Sequence, residues 1–236
     1  MKLVPSDDVE PEATDVRRSP APKPAVRKRM SGLERREQLI RVGRRLFAEH
    51  GFESVTVEQI AAEAKVSKPV VYEHFSGGEI DGKEFGTKEA LYAVIVDREI
   101  AELLRAIQSG LDAVHPRLIL EQTTMAMLTY IEQNDQGFQI LIRDAPTGMA
   151  GAFSNLIADI GVRVQHLLAR EFKRRGLNPK LAPLYAQSLV GMIALTGQWW
   201  LDERKPGKKD VAAHIVNLAW NGLHGLETNP SLRGDH

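Results

Sequence analysis

The stretch EAKVSKPVVYEHFSGG, residues 63 to 78, gathers side chains suited to meeting a polar, charged partner. Ser67, Lys68, Tyr72 and His74 bring a hydroxyl, an ammonium, a phenol and an imidazole into one short segment. A helix built for stability alone would favour Leu or Ala at such positions. Donors of this kind suit phosphate oxygens and base edges. Bond-making chemistry has less support. The seven histidines are His50, His74, His115, His166, His214, His224 and His236, and no pair has the i, i+4 spacing of a helical metal site. There is no P-loop and no dinucleotide fingerprint, and no carboxylate–histidine cluster. We therefore expect no enzyme, no metal and no cofactor. The absence of cysteine excludes disulfides and thiolate chemistry and fits a reducing cytoplasm.

The elements that must hold these donors are legible from capping. Ser31 with Glu34 forms a capping box, Leu33, Ile40, Leu46 and Phe47 recur at helical spacing, and Gly51 is a stop signal. These predict a helix over 32–50. Thr56 with Gln59 opens a second helix, with Val55 and Ile60 as a hydrophobic staple. Ser67 caps a third, Val66 and Val71 staple it, and Pro69 sits in its first turn, where a missing N–H costs little. The third helix ends near Phe75. Two capped helices joined by a turn over Lys65 to Ser67 make a helix-turn-helix pattern. Val71 and Phe75 face inward, leaving Lys68, Val70, Tyr72 and His74 outward, the arrangement a groove-entering helix needs.

Net charge is zero over 236 residues, yet the charge is unevenly placed. From Val16 to His50 there are eleven Lys or Arg against three Glu, a local net of +8. Residues 1–30 carry five prolines and few large apolar side chains, the composition of a disordered arm. Two readings stand for that arm: a solvated tail, or a segment reaching DNA through Arg27, Lys28 and Arg29. From Thr87 on, the pattern is helical, with helices expected near 88–109, 116–134, 136–144, 151–175, 180–203 and 208–226. No stretch alternates as a strand. The fold class expected is all-α: a helix-turn-helix head over 31–92, including an inserted loop over 76–87, and a larger helical body over 93–228. No apolar run is long enough to span a bilayer, and the N-terminus lacks a signal-peptide core, so a cytoplasmic location with no membrane partner is expected.

Residues 35–75 and the following TKEALYAVI resemble the TetR family of bacterial transcriptional regulators. The resemblance rests on F-x-E-x-G-F, T-x-x-x-I-A-x-x-A-x-V-S and Y-x-H-F, in that order, and covers about a quarter of the chain. It implies a homodimer on a palindromic operator, most often a repressor, released when a small molecule binds the body. It implies DNA contacts from Thr56, Ser67, Lys68, Pro69, Val70, Tyr72, His74 and Lys88. Two departures stand out. Lys65 occupies a turn position where the family usually has Gly; it must take a left-handed conformation or alter the turn, and it adds positive charge near the DNA. Twelve residues, SGGEIDGKEFGT, separate Phe75 from Lys88, roughly ten more than usual. We expect this acidic, glycine-rich insert to be a surface loop turned away from phosphate. A looser coupling of the third helix to the fourth is the alternative, and it puts the phosphate contact of Lys88 in question.

In the body, Met125, Leu128, Phe138, Leu141, Ile142, Phe153, Leu156, Met192 and Trp199 are candidate walls for an apolar effector, or ordinary core. Arg143 and Asp144 are adjacent, so at most one faces a cavity. The last two long helices are the expected dimer face, with Gly191, Ala194, Gly197, Ala212, Ala213 and Ala219 allowing close approach. The rival reading is a DNA-binding regulator with no small-molecule switch, controlled by a protein partner or by abundance.

Overall fold

A computed structural model describes residues 30–80, 83–113, 115–143, 152–228 and 230–231, and omits the side chains of 79, 80, 83, 84 and 152–154. The predicted arm contacts Arg27, Lys28 and Arg29 lie outside the described residues, as do Asp144 and the side chain of Phe153. By contacts the chain divides into residues 1–31 and residues 32–236, and the second unit holds all the elements below.

Helix α1 runs over Gly32–His50, α2 over Val57–Glu63 and α3 over Lys68–His74. Gly51 follows α1 at φ 78°, a left-handed stop that lacks the Cβ penalty. Thr56 makes both halves of its capping box: the Gln59 N–H donates to Thr56 Oγ1 at 3.2 Å, and the Thr56 N–H donates to Gln59 Oε1 at 2.8 Å. Val55 and Ile60 are both buried, as a staple requires. Ser67 is the N-cap residue of α3, but its side chain makes no capping bond, and Pro69 at the start of the helix leaves one fewer N–H to satisfy.

The inserted segment corrects the expectation of a loop and of a chain without strands. Strands β1 (Gly78–Ile80) and β2 (Lys83–Phe85) pair antiparallel, with Ile80 opposite Lys83. A Cβ at residue 77 would come within 2.3 Å of the Phe85 carbonyl oxygen, so the hairpin base closes only on glycine.

The body is helical: α4 (Thr87–Leu111), α5 (Pro116–Gln133), α6 (Asp135–Ile142), α7 (Ala152–Arg174), a 3-10 turn over Pro179–Leu181, α8 (Ala182–Glu203) and α9 (Lys208–His224). Helix α4 packs on α5, α7 on α8, and α5 on α9. Helix α1 packs on both α4 and α6, so one continuous core joins head and body. Phe47, Phe52 and Tyr92 cluster at that junction with ring centroids 4.9–5.8 Å apart.

Candidate nucleic-acid interface and cavity

The α2–α3 turn is held by backbone bonds from Lys65 N to Ala62 O and from Val66 N to Ala61 O, 3.0 and 2.9 Å. Lys65 takes φ 55°, so the departure from Gly is met by adopting the left-handed conformation. Helix α1 fixes the pair from behind. Gln38 Nε2 donates to the Ala64 carbonyl at 3.0 Å. Arg36 donates to the His74 carbonyl at the end of α3 and lies 4.3 Å from the centre of the Phe75 ring. These two positioning residues carry no motif signal in the sequence, because their partners are backbone carbonyls 26 and 38 residues away.

With Val71 and Phe75 buried, the outer face of α3 presents Ser67, Lys68, Pro69 and Tyr72 to solvent, with Val70 and His74 half-buried. Tyr72 is 47% exposed. Thr56 is also exposed at the start of α2. The Lys68 ammonium pairs with Glu58 across the motif; that hydrogen bond raises the lysine pKa and lowers the glutamate's. Lys65 is exposed and has no ion-pair partner among the described residues. Lys88, whose contact with phosphate the insert puts in question, is engaged within the head. Its ammonium donates to the Phe52 carbonyl at 3.2 Å and sits 4.1 Å over the Phe52 ring.

Charge on the head itself is balanced. From Gly32 to Phe75, seven Lys or Arg stand against seven Glu, and six of the eight excess positive charges noted above lie in residues 17–29.

Between α4, α5, α7, α8 and α9 lies a cavity of about 600 Å³, within the usual range of small-molecule sites. Its apolar walls include Ile107, Leu120, Met127, Ile160, Leu167 and Ile193. None of the eight expected wall residues whose side chains are described lines it. Leu128, Phe138, Leu141 and Leu156 are 0–4% exposed in the core, three of them where α5 and α6 meet α1 and α4. Ile142 and Met192 pack against that core, and Met125 lines a shallow polar groove beside Tyr130. Trp199 is half exposed on α8. Arg143 donates to the Ala48 carbonyl of α1 rather than entering the cavity. The Thr123 and Thr124 hydroxyls are buried without a hydrogen-bond partner among the described residues, and Thr123 belongs to the cavity wall.

Of the small residues expected at a dimer face, Ala194, Gly197, Ala212 and Ala219 are buried within the chain; a Cβ at residue 197 would meet Ile131 at 2.8 Å. The exposed face of α8 and α9 instead carries Leu184, Leu195, Trp199 and Leu218, with open space over Gly191 and Gly222.

Among the described residues no group of three or more potential metal ligands converges, and no helix is long and apolar enough to cross a membrane. Residues 39–78 match the family of bacterial regulatory proteins of the tetR family, and residues 116–222 match the tetracyclin repressor-like C-terminal domain. The chain is 29% identical over 195 residues to the HTH-type transcriptional activator FasR of Mycolicibacterium smegmatis, covering 80% of this chain and 83% of that one. Its fold is similar to a TetR-like transcriptional regulator from Rhodococcus sp. RHA1 (24% identity, TM-score 0.64, 84% of this chain and 100% of that one). It is also similar in fold to the fatty acid degradation regulator FadR of Bacillus halodurans (17%, TM-score 0.61, 80% and 96%). With both halves matched, the chain belongs to the TetR family of bacterial transcriptional regulators, DNA-binding proteins rather than enzymes.

Proposed function

We propose that this protein is a dimeric, ligand-responsive regulator that binds a palindromic operator through α3 and changes its DNA affinity when the body cavity is filled. The observation that carries the DNA-binding half is the outer face of α3, where Ser67, Lys68, Pro69 and Tyr72 stand clear of a head braced from behind by Arg36 and Gln38. Val70 and His74 border the same face, Thr56 and Lys65 flank it, and Lys88 reaches phosphate only by leaving Phe52. Because the head is charge-balanced, the arm with Arg27, Lys28 and Arg29 supplies most of the nonspecific attraction to phosphate.

The ligand-responsive half rests on the cavity. An apolar cavity between body helices favours a small-molecule switch over control by a protein partner or by abundance. The exposed apolar side chains on α8 and α9 support dimerisation through those helices, since burying each such side chain contributes about 1.5–3 kcal/mol. Repression by blocking polymerase follows from the family's usual behaviour. Activation is the second reading, favoured by the similarity to a relative named as an activator.

Selection of operator sites from random duplex DNA tests the first half. A palindrome should emerge, and Tyr72→Ala and Lys68→Ala should each weaken binding to it by about 1–3 kcal/mol. Unchanged affinity in both variants would refute the assignment of α3.

A further inference from the structure

We infer that the cavity takes a single-chain amphiphile with an anionic head, its tail along α7 and its head held by Arg170 and Arg174. This inference rests on reading the cavity as the effector site. Charge in the wall is confined to one end. The ionisable lining residues are Arg170, Glu171 and Arg174 from the last turns of α7, Arg175 just after it, and His224 at the end of α9. Apart from Thr123, the rest of the lining is apolar.

Three guanidinium groups against one carboxylate leave that end with a net charge of +2. Each arginine is differently engaged. Arg175 donates to the carbonyls of Leu223 and His224, both at 2.8 Å, and so ties the end of α7 to the end of α9. Arg174 pairs with Glu171 through two bonds of 2.9 and 2.6 Å. Arg170 is exposed at the rim and has no partner among the described residues. One guanidinium is therefore free, and a second can exchange its partner. A planar guanidinium binds a carboxylate or phosphate with two parallel hydrogen bonds.

Shape points the same way. Along α7 the lining runs from Ile157 to Arg174, a rise of roughly 26 Å at 1.5 Å per residue. On α5 it runs from Pro116 to Met127, roughly 16 Å. A space this long, apolar along its length and cationic at one end, matches a linear chain with a terminal anion. A cationic amphiphile would meet repulsion at the rim, and a neutral one would leave Arg170 without a counter-charge.

The test uses the full-length protein and matched C12 and C16 probes below their micelle concentrations: alkanoate, alkyl phosphate, alkanol and alkyltrimethylammonium. Binding is read by calorimetry and by melting temperature. At least one anionic probe should bind one per chain and at least tenfold more tightly than the alkanol. Removing one methylene from the tail should weaken binding by about fourfold. The advantage of the anion should collapse in Arg170→Gln/Arg174→Gln while alkanol binding stays. The tighter of the two anions tells a carboxylate head from a phosphate head. Equal binding of alkanol and anions, or an unchanged anion advantage in the double variant, overturns the head assignment and leaves the cavity reading intact. Failure of every probe to bind overturns both.

Discussion

Half-buried Arg44 on α1 joins buried Glu99 on α4 and Tyr130 on α5 in a knot where the head meets the body, and removing one member should be costly. Glu99 is 4% exposed. Its carboxylate accepts from Arg44 Nε at 2.5 Å, from Arg44 Nη2 at 3.3 Å and from the Tyr130 hydroxyl at 2.9 Å. Burial works against the Arg44 charge, but the Glu99 bond and charge outweigh it and leave the arginine pKa raised. Burial, with the Glu99 charge beside it, pushes the Tyr130 phenol far up, so it remains a donor. Arg44→Met leaves a buried carboxylate with one neutral donor, at a cost of about 3–5 kcal/mol. For a chain of this size that lowers the melting temperature by roughly 6–20 °C. Removing both charges should cost far less: Arg44→Met/Glu99→Leu should fall within about 2 kcal/mol of the parent, because the Tyr130 hydroxyl still lies 3.4 Å from the Glu99 carbonyl. Gly137 on α6 supplies an independent check. A Cβ there would sit 1.8 Å from a Glu99 oxygen and 2.7 Å from Arg44 Nη2, so Gly137→Ala should destabilise the parent and be tolerated beside Glu99→Ala. Denaturant titration at fixed protein concentration measures all of these variants. Additive losses in the double variant, or an Arg44→Met loss below about 1 kcal/mol, would refute the reasoning.

Lys65→Gly should raise stability by about 1 kcal/mol by relieving the left-handed lysine, and should weaken DNA binding by removing an unpaired cation; a lower melting temperature would contradict this. Thr124→Val replaces a buried hydroxyl that lacks a partner among the described residues, so it should stabilise by about 1 kcal/mol in the same titration. Glu58→Gln frees Lys68 and should tighten operator binding while steepening its salt dependence by about one counterion; weaker binding would mean that the ion pair sets the pose of Lys68. Deleting residues 1–29 removes seven Lys or Arg and five acids, six of the basic residues lying in 17–29, a stretch without acids. The salt slope should then fall, by up to about 5, and an unchanged slope would mark the arm as a solvated tail.

The helix-turn-helix was readable because its signals are local. Thr56 with Gln59, Val55 with Ile60, and Gly51 each act within a few residues of where they sit. The hairpin has a weaker local signal: the sequence places Asp-Gly, a favoured turn pair, between Ile80 and Lys83, but strands of three residues are too short to show alternation. The cavity had no such signal. Large apolar residues such as Phe138 and Leu141 announce burial, but whether they meet a void or another helix depends on α6 docking against α1, almost a hundred residues away in the chain. The rim arginines were hidden for the opposite reason, since charged residues at a helix end read as ordinary solvated surface. The buried pairing of Arg44 with Glu99, 55 residues apart, is equally invisible to spacing.

The central claim is that the cavity and α3 are energetically coupled, and one thermodynamic cycle measures that. Operator affinity is determined with and without the saturating anionic amphiphile that binds best, and amphiphile affinity is determined on and off the operator. The account predicts a coupling of about 1–3 kcal/mol, a factor of roughly 5–150, equal in both directions. A factor of one, with both ligands bound tightly, would contradict it.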